Sequence, residues 1–281
     1  MKLATFLHRG TVKSGALTER GIVDLSTIGD VLTLLADPES RGAAESAIAK
    51  ATVFIPLDEV RLVAPLQPRA IIGIGLNYLD HVRETGAKLP ERPVVFAKFP
   101  NAVAGPGDVI TWCADATQQV DYEAELGVII GRACYRVAKD EALRYVGGYT
   151  CVNDLSARDL QLGDSGKQWT LGKTLDGFCP IGPVVVTADA IPDPQQLEIR
   201  CMLNGTLVQH SNTSEMIFDV ATLIAHLSQF ITLRPGDLIA TGTPAGVGMS
   251  RKPPRWLQDG DVCAVEIAGI GALTNTMRVI A

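Results

Sequence analysis

The residues best placed to do chemistry lie in Val120-Asp121-Tyr122-Glu123-Ala124-Glu125-Leu126-Gly127-Val128-Ile129-Ile130. The start of this run alternates. Read as a strand, it puts Asp121, Glu123 and Glu125 on one face and Val120, Tyr122, Ala124 and Leu126 on the other. Three acids on one face repel one another. A solvated edge strand would tolerate them. The apolar continuation Val128-Ile129-Ile130 argues for burial instead, and Arg132 is the only base nearby in sequence. Buried ionised carboxylates need a counter-charge, and a hard divalent cation is a common one.

A second group surrounds His81. Asn77 reads as a helix N-cap, Asp80 as a capping-box acid and Gly86 as a C-terminal stop. The helix between them has barely two turns, so alone it would be marginal. With the polar, proline-bearing segment 88–93 it could form a lid. His81 and Glu84 are i and i+3, neighbours on one face. A histidine oriented by a carboxylate suits a general base, although a surface His–Glu pair would have the same spacing. Asp154 ends a strand over 149–154, where a carboxylate can reach into a cleft. A helical segment over 155–161 follows, with Arg158 and Gln161. Lys173 is a cation among small residues.

Several nucleotide motifs fail. Gly73 and Gly75 resemble the start of a dinucleotide fingerprint, but Tyr78 occupies the third glycine position. Gly172-Lys173-Thr174 lacks the glycine that a phosphate loop needs at position 167, which is Lys. The loop Thr241-Gly242-Thr243-Pro244-Ala245-Gly246-Val247-Gly248 has no Lys. Its N–H groups and the Thr241 and Thr243 hydroxyls could cradle a carboxylate. His8, His210 and His226 read as structural or surface residues.

The elements that must position these groups are mostly strands. Turn-then-strand units recur at 105–112, 235–240 and 259–267, which implies a β-rich domain with long-range pairing. Asn204-Gly205 between two strand-like runs signals a hairpin. A helix is expected over 217–230, and short helices over 28–36, 43–51 and 139–145. Residues 1–65 read as a small accessory α/β domain and 66–281 as the catalytic one. The net charge of −6 and pI near 5.3 argue against a nucleic-acid surface. The six scattered cysteines read as free thiols in a reducing compartment. With no signal-peptide pattern and no apolar run near ~20 residues, the expectation is a cytoplasmic protein that binds no membrane.

Five segments, in this order, resemble the fumarylacetoacetate hydrolase family over about residues 69–281. They are Asn77-Tyr78-Leu79-Asp80-His81 with Glu84; Glu123-Ala124-Glu125-Leu126; Asn153-Asp154 with Arg158-Asp159-Leu160-Gln161; Trp169-Thr170-Leu171-Gly172-Lys173; and the 241–248 loop. The resemblance implies an α+β, β-rich fold, a mixed β-sandwich roll with a small N-terminal domain, and a homodimer. It implies Mg²⁺ or Mn²⁺ on Glu123, Glu125 and Asp154. It also implies a 2-oxo or 2,4-diketo acid substrate, which would chelate through its 1-carboxylate and 2-oxo oxygen. His81, oriented by Glu84, would activate water for C–C cleavage to pyruvate and a second acid. Lys173 and Gln161 would stabilise the oxyanion, and Arg158, Gln161, Thr241 and Gly242 would bind substrate. The 249–257 segment is similar to that of diketo-deoxy-sugar-acid hydrolases. Oxaloacetate decarboxylation or keto–enol tautomerisation is the alternative, although Leu76 stands where such members often carry Arg. A non-catalytic metabolite-binding protein is the third reading.

Overall fold

The computed structural model describes residues 1–163 and 167–281. Two mixed sheets form its frame. The large sheet runs Gly21–Asp24, Thr11–Thr18, Lys2–His8, Cys179–Thr187, Val146–Asn153, Ala124–Ile130, Leu238–Ala240, Ile71–Gly75 and Val94–Lys98. Most neighbours are antiparallel, whereas Leu238–Ala240 and Ile71–Gly75 run parallel. The second sheet orders Thr206–Asn212, Glu198–Leu203, Val262–Ile267, Gly271–Ile280 and Val109–Cys113. This is the mixed, β-rich roll expected from the resemblance.

Period-2 alternation explains the layering. Along Ala124–Ile130, Ala124, Leu126, Val128 and Ile130 pack into one core with Ile199, Cys201, Val265 and Leu273 of the second sheet. Ile129 faces the other way, into a core with Val152, Ile181, Val185, Leu34 and Leu35. The large sheet is therefore buried on both faces, and its central strands read as apolar runs. Helices Val31–Ala36 and Pro38–Ala49 cover the second face, capped by the Asp30 and Asp37 side chains. Strand Lys2–His8 pairs with Cys179–Thr187, so the N-terminal strands extend the large sheet.

Local signals account for several elements. Asn204 and Gly205 have φ of 52° and 76°, the left-handed pair that a tight hairpin requires. Helix Val220–Ser228 lies within the expected range and starts at Asp219, whose carboxylate accepts from Thr222 N. All six cysteines are free. The acidic run differs from its expected single strand. It breaks into Val120–Asp121, which pairs with Ser156–Ala157, and Ala124–Ile130, leaving Tyr122-Glu123 between them. The helix expected over 155–161 forms as Arg158–Leu162.

Gly246 shows how tightly the glycine-rich loop is seated. Its φ is 106°, and a Cβ there would lie 2.1 Å from the Val208 carbonyl oxygen. That oxygen belongs to the neighbouring strand backbone and cannot rotate away. Gly246→Ala is expected to lower the unfolding free energy by more than about 1 kcal/mol, measured by urea denaturation; unchanged stability would show that the loop can shift freely.

Candidate active site

The acidic centre is built from charges far apart in sequence. Asp121 is fully buried and accepts five hydrogen bonds. Arg158 Nε and Nη2 reach its Oδ2 at 3.0 and 2.8 Å, and the N–H groups of Tyr122, Gly248 and Met249 complete the set. Arg158 also pairs with Glu123 Oε1 at 2.8 Å and donates from Nη1 to Gln161 Oε1 at 2.9 Å. Asp121 thus anchors the arginine that faces Glu123. Arg132, the nearby base in sequence, stacks on Tyr145 instead.

Lys173 supplies the second cation. Its Nζ donates to Glu123 Oε2 at 2.6 Å, Asp154 Oδ2 at 2.7 Å and Ser156 Oγ at 2.8 Å. Lys98, unremarked in the sequence, is the third. Its buried ammonium binds Asp154 Oδ1 and donates to the Phe178 carbonyl at 2.9 Å. Burial pushes the Glu123 carboxyl up, but Lys173 and Arg158 outweigh it and bring it down to about 2. Burial also opposes charge on Lys173, yet Asp154 and Glu123 hold its ammonium above the ordinary range.

Glu125 differs. Among the described residues no ammonium or guanidinium contacts it, and its Oε2 accepts only the Gly242 N–H, at 2.9 Å. Burial and the neighbouring Asp154 and Glu123 charges push its carboxyl well above the usual range. One oxygen from each of Glu123, Glu125 and Asp154 lies within 4.8 Å of the others. Converging carboxylate oxygens with an uncompensated member suit a hard divalent cation. Each oxygen has two lone pairs, so the bonds from Lys173 do not exhaust the donors.

His81 approaches from helix Leu79–Thr85, which Gly86 ends with a φ of 64°. Its Nδ1 lies 3.1 Å from Glu84 Oε2. Burial raises the Glu84 carboxyl, but the bonds from His81 and the Gly246 N–H prevail and lower it. An ionised Glu84 only accepts, so the neutral imidazole of His81 would carry its proton on Nδ1 and present the Nε2 lone pair. Asn77 is not the N-cap. Tyr78 holds that position without a side-chain bond. The Asn77 amide instead donates to the Phe218 and Thr241 carbonyls and accepts from Phe218 N.

A cavity of about 200 Å³ brings His81, Glu123, Glu125, Arg158, Gln161 and Lys173 together. Its other wall is apolar, with Phe96 and Trp169 edge-to-face at 5.7 Å. Gly73 and Gly75 make room for these rings: a Cβ would lie 2.1 Å from Phe96 and 2.5 Å from Trp169. The supposed fingerprint glycines are thus seats for aromatics. Leu76 also lines the cavity, with a φ of 53°.

Four of the residues singled out from sequence lie outside that lining. Asp154 and Glu84 stand behind it, bonded to Lys173 and His81. Thr241 donates its hydroxyl to the Leu126 carbonyl at 2.8 Å, and Gly242 gives its N–H to Glu125. The carboxylate cradle expected of them is therefore spent on the protein's own groups, and Thr243 is the loop residue that reaches the cavity.

Fold and site place the chain in the fumarylacetoacetate hydrolase family: the profile of the fumarylacetoacetate (FAA) hydrolase C-terminal region matches residues 70–278. It is 47% identical over 233 residues to the mitochondrial oxaloacetate tautomerase fahd2 of Xenopus laevis, covering 83% of this chain and 73% of that protein. Among solved structures, fumarylacetoacetate hydrolase from Exiguobacterium antarcticum superposes with a TM-score of 0.86 at 39% identity, over 100% of both chains. Maleylpyruvate hydrolase from Sphingobium sp. SYK-6, in complex with manganese(II) and pyruvate, gives 0.84 at 32% identity, again over 100% of both.

Removing one partner from a buried ion cluster leaves the others uncompensated. Arg158→Ala is expected to destabilise the protein by roughly 3–5 kcal/mol, measured by urea denaturation without added metal. A loss under ~1 kcal/mol, the scale of an exposed pair, would show that Asp121 and Glu123 find other partners.

Proposed function

We propose that the chain is a divalent-metal-dependent enzyme that moves protons on enolisable 2-oxo acids, and that keto–enol tautomerisation of oxaloacetate is its leading activity. One observation supports this above all: His81, its Nδ1 engaged by Glu84, lines the same cavity as Glu123 and Glu125. A binding protein has no need of an oriented base. Glu123, Glu125 and Asp154 would hold Mg²⁺ or Mn²⁺. A bound divalent cation supplies Lewis acidity, which polarises the 2-oxo group and acidifies the neighbouring C3–H.

The chain's own groups do the rest. Arg158 and Gln161 orient the substrate carboxylate in the cavity. His81 Nε2 takes a proton from C3, and Glu84 stabilises the resulting imidazolium. Lys173 lies on the side where negative charge develops on the 2-oxo oxygen. Return of a proton to oxygen gives the enol, and the reverse path gives the ketone. The apolar wall of Phe96 and Trp169 limits water around the exchanging proton. Similarity to a relative named as an oxaloacetate tautomerase supports this reading over the hydrolysis that sequence motifs put first, despite Leu76.

Hydrolysis of a 2,4-diketo acid is the second reading, supported by full-length similarity to maleylpyruvate hydrolase. There His81 would take the proton from water as its oxygen adds to the C4 carbonyl. The C3–C4 bond would then break with its electron pair on C3, which a proton quenches to give pyruvate.

The test is a spectrophotometric comparison of oxaloacetate enol–keto exchange with cleavage of acylpyruvates and maleylpyruvate, each with Mg²⁺ or Mn²⁺. Faster turnover of oxaloacetate is expected, and absence of tautomerisation beside rapid cleavage would reverse the two readings. His81→Ala is expected to cut turnover by about 100–10,000-fold while Mn²⁺ binding by calorimetry stays intact. Glu123→Ala is expected to lose Mn²⁺ binding and activity together; full activity of that variant in excess EDTA would refute the metal assignment.

A further inference from the structure

The helix that presents His81 is held shut by a second carboxylate. Helix Leu79–Thr85 has seven residues and no side-chain N-cap, so its own hydrogen bonds do not fix its place. Asp80 does more than the capping role its spacing suggests. Its Oδ1 accepts from the His81 N–H at 2.7 Å and from the Ala245 N–H at 3.3 Å. Its Oδ2 accepts from Ser211 Oγ at 2.6 Å. The first bond fixes the backbone of the proposed base. The other two tie it to the glycine-rich loop and to strand Thr206–Asn212 of the second sheet.

Glu84 completes the clamp from the far end of the helix. While Oε2 takes His81, Oε1 accepts from the Gly246 N–H at 2.9 Å. The residues on either side of His81 thus grip adjacent loop residues, Ala245 and Gly246. That loop is itself braced: the Tyr122 phenol donates to the Gly246 carbonyl at 3.0 Å and accepts from Arg251 Nε at 3.1 Å. Arg251 also donates to the Val208 carbonyl of the same strand as Ser211.

We infer that Asp80 is a positioning residue: with Ser211 and Ala245 it latches the His81 helix to the second sheet, and so fixes the base over the carboxylate centre. The inference deepens the proposed function and rests on His81 being the base. Asp80 itself does not line the cavity. Its effect should therefore fall on turnover and on helix protection, and leave metal binding alone. A misplacement of about 1 Å is enough to cost about 100-fold in rate.

The experiment compares the full-length chain with Asp80→Ala, Asp80→Asn and Ser211→Ala. Amide hydrogen exchange over 79–85, kcat for oxaloacetate tautomerisation and Mn²⁺ affinity are measured for each. In Asp80→Ala, exchange should rise by at least ~10-fold and kcat should fall by about 100-fold, with the Mn²⁺ Kd within about twofold, a fraction of a kcal/mol. Asn can still accept the two N–H bonds and donate to Ser211, so Asp80→Asn should restore most of both. Ser211→Ala should raise exchange over 79–85 by a smaller factor. Wild-type exchange in both Asp80→Ala and Ser211→Ala would overturn the latch, as would equal losses in the Ala and Asn variants at Asp80. Faster exchange with undiminished kcat would overturn the positioning role. If oxaloacetate is not turned over at all, the proposed reaction fails, while exchange still decides the latch.

Discussion

The structure depends on balancing charge inside a dry core. Asp121, Glu123, Glu125 and Asp154 are buried in one cluster, against Lys98, Arg158 and Lys173. Taking each ion out of water costs several kcal/mol, which only close, well-formed partners offset. Arg158 does this by spanning Asp121 and Glu123, and Lys173 by spanning Glu123 and Asp154. The arrangement is one carboxylate in excess. That excess falls on Glu125, which no basic side chain contacts among the described residues, and it is the place where an added divalent cation would do the most.

The fold exists around this constraint. The carboxylates come from the neighbouring strands Ala124–Ile130 and Val146–Asn153 or from residues that adjoin them, and the pairing of Ala124 with Asn153 sets their separation. Asn153 Oδ1 takes the Glu123 N–H and Gln209 Oε1 takes the Ala124 N–H, which stabilises the break that turns Glu123 away from regular strand geometry. The cations arrive from the edge strand Val94–Lys98 and from two five-residue helices, Arg158–Leu162 and Trp169–Lys173. Helices this short have little stability of their own. Their ion pairs with the strands hold them in place as much as they neutralise the acids.

How much of this was legible in the sequence follows from the range of each interaction. The hairpin at Asn204-Gly205 and the helix after Asp219 are set by local rules, and both formed as expected. The acids Glu123 and Glu125 and the His81–Glu84 pair stood out by residue type at short spacing, whereas Asp154 joined the two acids as a ligand only through the family resemblance. The structure brings one oxygen of each of the three acids within 4.8 Å of the others and seats His81 in the same cavity as Glu123 and Glu125. What spacing could not show was which distant cations answer the acids. Lys98 reaches Asp154 across 56 positions and Lys173 reaches Glu123 across 50. Arg132, the only base near the acids in sequence, stacks on Tyr145 instead. Asn77, Thr241, Gly73 and Gly75 show the same limit of local spacing. Each has a side chain or backbone suited to a generic local role, but tertiary contacts with Phe218, Leu126, Phe96 and Trp169 decide its use.

The proposed tautomerisation and the alternative hydrolysis make the same demands on this geometry. Both reactions need a carbonyl polarised at the carboxylate centre and a base whose free nitrogen faces it. They differ in where the proton comes from: a substrate carbon in one, a water molecule in the other. That choice depends on whether water can reach the carbon beyond the enolisable position, and so on the wall opposite the carboxylates. Here the wall is Phe96 against Trp169, seated on Gly73 and Gly75, with Leu76 beside them. A tightly packed aromatic wall excludes an ordered water more readily than it excludes a small planar acid. The glycines under the aromatic rings thus set the shape of the wall opposite the acids.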